Sequence, residues 1–465
     1  MTLLNSRLRR ASLGLLAAGS LLAAGTSALA QTPFGEIDRA SEASVRFAAS
    51  ESNQPILAGG QASISGEGFQ PGQQVDLLYG TTSLTGGPLV ADGEGKLSGT
   101  IAIPAGAVSG THPILVVAQA PYYATVAELK VSPTVPLAGA ESYRIDRAEV
   151  VRGLYQSAYS PKNDALFAAA AIGRPPVRES ELVKLNPQDL SVQARVTPAA
   201  VEGREGVYAV YGLGIDDAHD NLWVTNTRQN TVSVYSQGDL SLVKQFPQGT
   251  VNHARDVVVD QELGKAYASA AMTPNIVVFD TASLEQTKVI SISALRRGQE
   301  FSTFSLSLDP QAHKLYVAGL STNEVAVIDT RADEVEKVFP VPGARGVIGI
   351  SHDPQTGRIY VAAQGSDNLV VLDGTSGAVV ADTPIGAGAL NVAFDPVTRH
   401  AYVSSRGAGT ITVTDADGAI LANLGPAPLA NHVALGKDGV VYAVDKSAGV
   451  RDADNDVIKR IEPLG

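Results

Sequence analysis

The chain has 465 residues, 44% hydrophobic and 18% charged, a balance that excludes a disordered polypeptide and calls for more than one core. Its formal net charge of −12 argues against broad electrostatic adhesion to nucleic acid or anionic lipid, though not against a local basic patch. There is no cysteine, which excludes disulfides, thiolate metal ligands, a thiol nucleophile and a lipidated cysteine.

Residues 1–30 read as a secretory signal. Arg7, Arg9 and Arg10 form a positive start, Leu13 to Ala24 an apolar stretch, and Ser27-Ala28-Leu29-Ala30 a small-residue cleavage site. Arg9-Arg10 is a twin-arginine pair, but Ala11-Ser12 follows where a bulky apolar residue would strengthen that route, so general export is favoured. No later run approaches the ~20 apolar residues of a membrane span, so no membrane insertion is expected after cleavage. The expected location is the periplasm, with the cell surface as an alternative.

Residues 31–42 read as a tether. From 43 to 133, short β-type runs such as Gln61–Ser65, Gln74–Tyr79, Gly99–Ile103, Pro113–Val117 and Ala127–Val131 alternate with Gly- and Pro-rich turns. Regular short strands over such a length predict a β-sandwich. Residues 134–140 read as a semi-rigid linker.

From 141 to 465 the chain repeats itself. SPKNDALFAAA (160–170), DDAHDNLWVTN (216–226), DQELGKAYASA (260–270), DPQAHKLYVAG (309–319), DPQTGRIYVAA (353–363), DPVTRHAYVSS (395–405) and GKDGVVYAVDK (436–446) are versions of one phrase. Their aromatic anchors, Phe167, Trp223, Tyr267, Tyr316, Tyr360, Tyr402 and Tyr442, recur every 40–56 residues. That period, with several β-runs per unit, predicts propeller blades whose anchors pack blade on blade. The last unit stops at its third strand, and Ser142–Arg147 could supply the missing outer strand and remove the open edges. The fold class read here is therefore all-β, a seven-bladed β-propeller preceded by a small β-sandwich.

Two resemblances carry this reading further. GEGFQPGQQVDLLY, ADGEGKLSGTIAIP and SGTHPILVVA in the sandwich resemble bacterial immunoglobulin-like modules, which implies a spacer or adhesion role. LYVAGLSTNEVAVIDT, IYVAAQGSDNLVVLD and AYVSSRGAGTITVTD resemble the YVTN family of propeller repeats. GLYQSAYSPKNDALF, LWVTNT, the run at 255–260, ANHVALGKDGVVYAV and NDVIKRI add a likeness to YncE-type periplasmic propellers. That family implies an exported protein with no assigned reaction and an association with single-stranded DNA binding. YVTN repeats also occur in surface-layer and cell-surface proteins. The sandwich is absent from the plain family member, so partners need not be shared.

Loops leading into the inner strands should cluster at one mouth of the channel. Aligned by repeat, they hold Arg152, Gly153 and Tyr155; Arg204, Glu205 and Tyr208; His253, Arg255 and Asp256; Glu300, Phe301 and Thr303; Arg345; Asn391; and Asn431 with His432. Loops after the aromatic strands should reach the same face and add Asn226, Arg228, Arg406 and Lys446. Several cations among aromatics make a site for an anionic or planar ligand. An unidentified protein or anionic ligand is the expected partner of a monomeric, non-catalytic scaffold, and no cofactor is expected.

Two other functional classes fit part of this residue set. Single-stranded DNA would use the arginines with Tyr155, Tyr208 and Phe301 as stacking faces. A metal-assisted hydrolase would rest on His253 and His432 with Asp256, which lie across the ring from one another. Asp452–Asp456 has alternating carboxylates like the start of a calcium loop but lacks the later Gly and Glu, so a hairpin tip is expected. His219, His313 and His400 fall in turns and are expected to be exposed. No nucleophile elbow, HExxH, P-loop or dinucleotide fingerprint occurs in a fitting context.

Overall fold

The computed structural model describes residues 34–39, 42–446 and 456–464. The expected signal segment and most of the Asp452–Asp456 run lie outside the described residues. Strands dominate, and among the described residues no helix is long and apolar enough to cross a membrane.

The N-terminal part is built of two antiparallel sheets. Ser44–Ala49, Gln61–Glu67 and Leu97–Ala102 form one. Gln74–Tyr79, Gly110–Gln119 and Tyr123–Val131 form the other, with short Thr82–Ser83 and Leu89–Val90 at its edge. Strict alternation decides which side faces inward: Ala62 and Ile64 meet Val75, Leu77, Ile114, Val116 and Leu129 in one core. Part of the expected tether joins this unit, because Ile37 bridges Tyr122 and the two segments exchange backbone hydrogen bonds.

The remaining strands form four-stranded antiparallel sheets. Their inner strands are Leu154–Ser160, Leu213–Asp216, Ala254–Asp260, Thr303–Asp309, Val347–His352, Ala389–Asp395 and Ala430–Leu435. Each inner strand touches the next, and the last touches the first, around a central channel. This is the β-propeller arrangement. The last sheet takes its first three strands from Ala430–Leu435, Val441–Asp445 and Val457–Pro463, and its outer strand is Tyr143–Glu149. Tyr143 pairs with Pro463 and Glu149 with Val457, so the two ends of the repeat region close one sheet.

The repeated phrase has a physical basis at both of its marks. Its Asp ends the inner strand and caps the turn that follows. Asp260 Oδ1 accepts from Leu263 N at 3.0 Å, Asp309 Oδ1 from Ala312 N at 3.0 Å and Asp353 Oδ1 from Gln355 N at 3.0 Å. Its aromatic fills the gap between sheets and reaches the next one. Tyr267 donates its hydroxyl to Thr330 O at 3.1 Å, Tyr360 to Ala416 O at 2.9 Å, and Tyr442 to Pro187 O at 2.9 Å across the closure. Trp223 packs against Phe246 and Phe279 in the same layer.

One turn carboxylate has a larger task. Asp353 is buried and is paired by both ends of the Arg399 guanidinium from the next sheet. Burial alone would raise its pKa, but Arg399, Thr356 and the Gln355 amide hold it down to about 2. A folded-state pKa below the unfolded one adds stability above about pH 4, lost as pH falls toward 2. Asp353→Asn is therefore expected to cost about 2 kcal/mol at pH 6. The gap from wild type, read by denaturant unfolding, should close through the acid range.

The expected linker is not free. Ala138 bridges Asn423 on an outer strand, and Asn423 donates its side-chain amide to Val135 O at 2.9 Å. The sandwich in turn sits on the propeller. Lys130 Nζ pairs with the buried Asp367 carboxylate at 2.8 Å and donates to Gln364 O at 3.1 Å. The same Asp367 oxygen accepts from Gly388 N at 2.7 Å, so one carboxylate joins two propeller loops to the sandwich.

Candidate anion site at the propeller mouth

The channel wall accounts for four of the predicted site residues, Asp256, Asn391, Asn431 and His432. Each inner strand is a sheet edge whose inward N–H groups need partners. Side chains from the preceding sheet supply them. Gln156 Oε1 accepts from Leu213 N at 3.2 Å, Asp256 Oδ2 from Leu306 N at 3.1 Å, Asn391 Oδ1 from Val433 N at 2.9 Å and His432 Nδ1 from Ser157 N at 3.4 Å. At Gly214 and Gly349 the neighbouring backbone comes too close for any side chain, since a Cβ would lie 2.8 Å from Val257 O and from Asn391 Cα. Below the mouth these strands enclose a cavity of about 410 Å³, lined by Gln156, Asp256, Asn391 and His432 among others.

The sequence offered Asp256, Asn391, Asn431 and His432 to a ligand; here their acceptors or donors are engaged in joining sheets. Asn431 is buried and donates to Tyr155 O at 2.6 Å. Burial pushes the Asp256 carboxyl up, against the opposing pull of Arg255. Burial, with the Arg255 charge, pushes His432 down to about 3, so its ring is neutral at physiological pH. Because Nδ1 accepts from a backbone amide, the ring proton is assigned to Nε2. Among the described residues no three His, Asp or Glu side chains converge as a metal-binding group.

Four further expectations are corrected by packing. Phe301 is wholly buried among Tyr267, Ile276 and Val317, where it fills space left by Gly319. Tyr208 is buried too. Neither presents a face to a ligand. Arg345 turns away from the mouth, and its Nη2 pairs with Glu128 of the sandwich at 2.9 and 3.0 Å. Arg152 is exposed and pairs with Glu179 at 3.3 Å, while Arg204 lies on the rim and donates to Arg228 O at 3.3 Å. His313, expected to be exposed, is buried, and its Nε2 accepts from Arg331.

What remains is a compact cationic group. Arg255, on the third inner strand, is buried and reaches residues of two other sheets. Its guanidinium carbon lies 5.0 Å from the ring centroid of Tyr155, on the first inner strand, and 5.0 Å from that of Phe304, on the fourth. Aromatic faces favour the charge. Yet among the described residues its Nε and Nη1 have no hydrogen-bond partner, a costly state for a buried charge.

Lys446 Nζ lies 4.4 Å from the centroid of the same Tyr155 ring. Burial first, then the charges of Arg406, Arg255 and Arg228, push its pKa down to about 8, with Asp456 opposing. Asp456 also accepts a hydrogen bond from Gly153 N. Burial raises the Tyr211 hydroxyl's pKa against the opposing pull of Arg228, and Tyr211 packs edge-on against Tyr155 with ring centroids 4.8 Å apart. His253 lies at the rim, its pKa lowered by burial and by Arg228 and Arg255. Arg406 has no side-chain hydrogen bond or ion pair among the described residues.

Thus Tyr155, His253, Arg255, Arg406 and Lys446 come together, with Arg228 joining from a neighbouring loop. Sequence reasoning missed Tyr211 and Phe304, which hold the arrangement. Phe304 lies on the inner strand Thr303–Asp309, and alternation along that strand is the signal that could have found it.

No family model matches the chain, and no curated protein matches it. Solved structures do. Hydrazine synthase of Kuenenia stuttgartiensis is 16% identical over 66% of this chain and 95% of that one, with a TM-score of 0.55. U3-55K is 11% identical over 70% of this chain and 99% of that one, with a TM-score of 0.55. Virginiamycin B lyase from Staphylococcus aureus is 12% identical over 69% of this chain and 100% of that one, with a TM-score of 0.54. At such identities the likeness speaks of fold alone, and the fold it supports is the β-propeller.

Proposed function

We propose that this chain is an exported, periplasmic, non-catalytic binding protein. In this reading it is a seven-bladed YVTN-type propeller, YncE-like in its repeats, with an immunoglobulin-like sandwich beside its mouth. Of the two partner classes weighed from sequence, the mouth favours an anionic ligand over a flat protein surface. The observation that carries this is Arg255, a buried guanidinium with unpartnered Nε and Nη1 beneath Arg228, Arg406 and Lys446. A bound anion would offset the mutual repulsion of these cations and supply acceptors to the group.

The same cations would attract single-stranded DNA. However, Tyr208 and Phe301 offer no exposed face, and Tyr155 already has Arg255 and Lys446 over its ring. A compact anion suits the site better than a stacked strand.

Calorimetry with small carboxylates and inorganic phosphate tests the reading. One-to-one binding is expected, weakening as salt rises. An Arg228→Gln/Arg406→Gln double variant should bind about tenfold more weakly or worse. Absence of binding at low salt, or equal affinity in the double variant, would overturn it.

A further inference from the structure

Resting on the anion reading of the mouth, we infer that Lys446 captures a small 2-oxo acid covalently, as an imine, with the acid's carboxylate held by Arg406 and Arg255. Three observations carry this. First, the Lys446 amine has no hydrogen bond or ion pair among the described residues, and the contact that places it is the face of Tyr155, 4.4 Å from Nζ. The nearby Asp456 carboxylate acts on this amine as a charge while accepting a hydrogen bond from Gly153 N. Second, Arg406, the strongest electrostatic neighbour of that amine, also has a guanidinium without a side-chain partner. Third, Arg255 lies over the same ring, 5.0 Å from its centroid, and keeps two unpartnered donor nitrogens.

A free amine beside free guanidiniums matches one ligand chemistry closely. In a 2-oxo acid the carbonyl carbon is bonded directly to the carboxylate. Binding the carboxylate to an arginine therefore delivers the carbonyl to a neighbouring amine, an advantage of proximity. The site also keeps the amine reactive. At a pKa of about 8, roughly a tenth of molecules carry it neutral at pH 7, against roughly one in a few thousand for an ordinary lysine.

The step balances without an oxidant or reductant. The Nζ lone pair attacks the carbonyl carbon, and the carbonyl oxygen takes up a proton to give a carbinolamine. Loss of that oxygen as water, with both amine hydrogens accounted for in the water and the released proton, leaves a carbon–nitrogen double bond. Water reverses the process, so capture is reversible.

The experiment uses the full chain with pyruvate as the probe and sodium borohydride to reduce any imine to a stable secondary amine. Intact mass and peptide mapping then locate the adduct. The expected result is one adduct per chain on Lys446, at least about tenfold above any other lysine, as its larger neutral fraction dictates. Lys446→Arg should abolish it, while Lys437→Arg, an exposed lysine away from the mouth, should leave it unchanged. Trapping should increase with pH up to about 8, whereas non-covalent anion binding should hold steady to that pH and weaken only above it. Lactate, which lacks the carbonyl, should compete with pyruvate and form no adduct. If lactate and pyruvate bind at the mouth but trapping stays at the level of surface lysines, the covalent inference falls and the anion reading stands. If neither binds and nothing is trapped, both fall.

Discussion

Replacing Arg255 with methionine is expected to stabilise the fold while removing anion binding. The guanidinium is buried between Tyr155 and Phe304, and two of its nitrogens lack partners. An apolar side chain of similar length keeps the packing against both rings and discards the unpaired charge, so a gain of about 1–3 kcal/mol is expected in denaturant unfolding. Affinity for a small carboxylate should fall about a hundredfold, as expected when a central charged donor is lost. A loss of stability together with unchanged affinity would show that Arg255 is a structural plug and nothing more.

The same variant should change the response to pH. In wild type the Lys446 ammonium assists an anion below its pKa of about 8, and a bound anion raises that pKa. Affinity is therefore full below pH 8 and declines as pH rises through it, by at most about tenfold per pH unit for one proton. Arg255 is one of the charges that push Lys446 down, so in Arg255→Met the decline should move to higher pH. Titrations at several pH values would read both effects.

The second large effect concerns ring closure. Ile461→Asp is expected to cost roughly 4 kcal/mol or more, because it places an unpaired carboxylate in an apolar site. Ile461 is wholly buried with Tyr143, Tyr402, Ile411 and Val441. Its cross-strand partner Ile145 lies on the closing outer strand but is exposed, so Ile145→Asp should cost under about 1 kcal/mol. The two variants differ in burial and share a rung of the same ladder. Thermal and denaturant unfolding of both, with limited proteolysis if Ile461→Asp is too unstable to titrate, would separate closure by packing from closure by backbone pairing alone. Equal effects would contradict a buried role for this rung.

The all-β class, the alternation in each strand and the repeated unit are legible in the residues alone. These are local properties. An Asp that caps its own turn, as Asp260 and Asp309 do, recurs in five of the repeated phrases because the partner amide is only three residues away. An anchor such as Tyr267 or Tyr360 must recur because each sheet faces a similar neighbour. The need for an outer strand in the last sheet was equally legible, since a unit with three strands leaves an edge unpaired, and Tyr143–Glu149 pairs there.

Which loop residues form a site follows from packing across the whole fold. Position in a repeat places a side chain at the mouth, but not whether its hydrogen-bonding groups are already engaged. Asn391 and His432 satisfy backbone amides of adjacent sheets, Phe301 fills a gap beside Gly319, and Arg345 meets Glu128 from a separate part of the chain. These partners lie tens to hundreds of residues away, where no local pattern reports them. Arg255 is the opposite case. Its sequence context resembles that of the other loop arginines, and only the fold leaves it buried, stacked and without acceptors. The physical reason is that periodicity records what every sheet needs, whereas a site depends on charges the shared framework leaves unpaired.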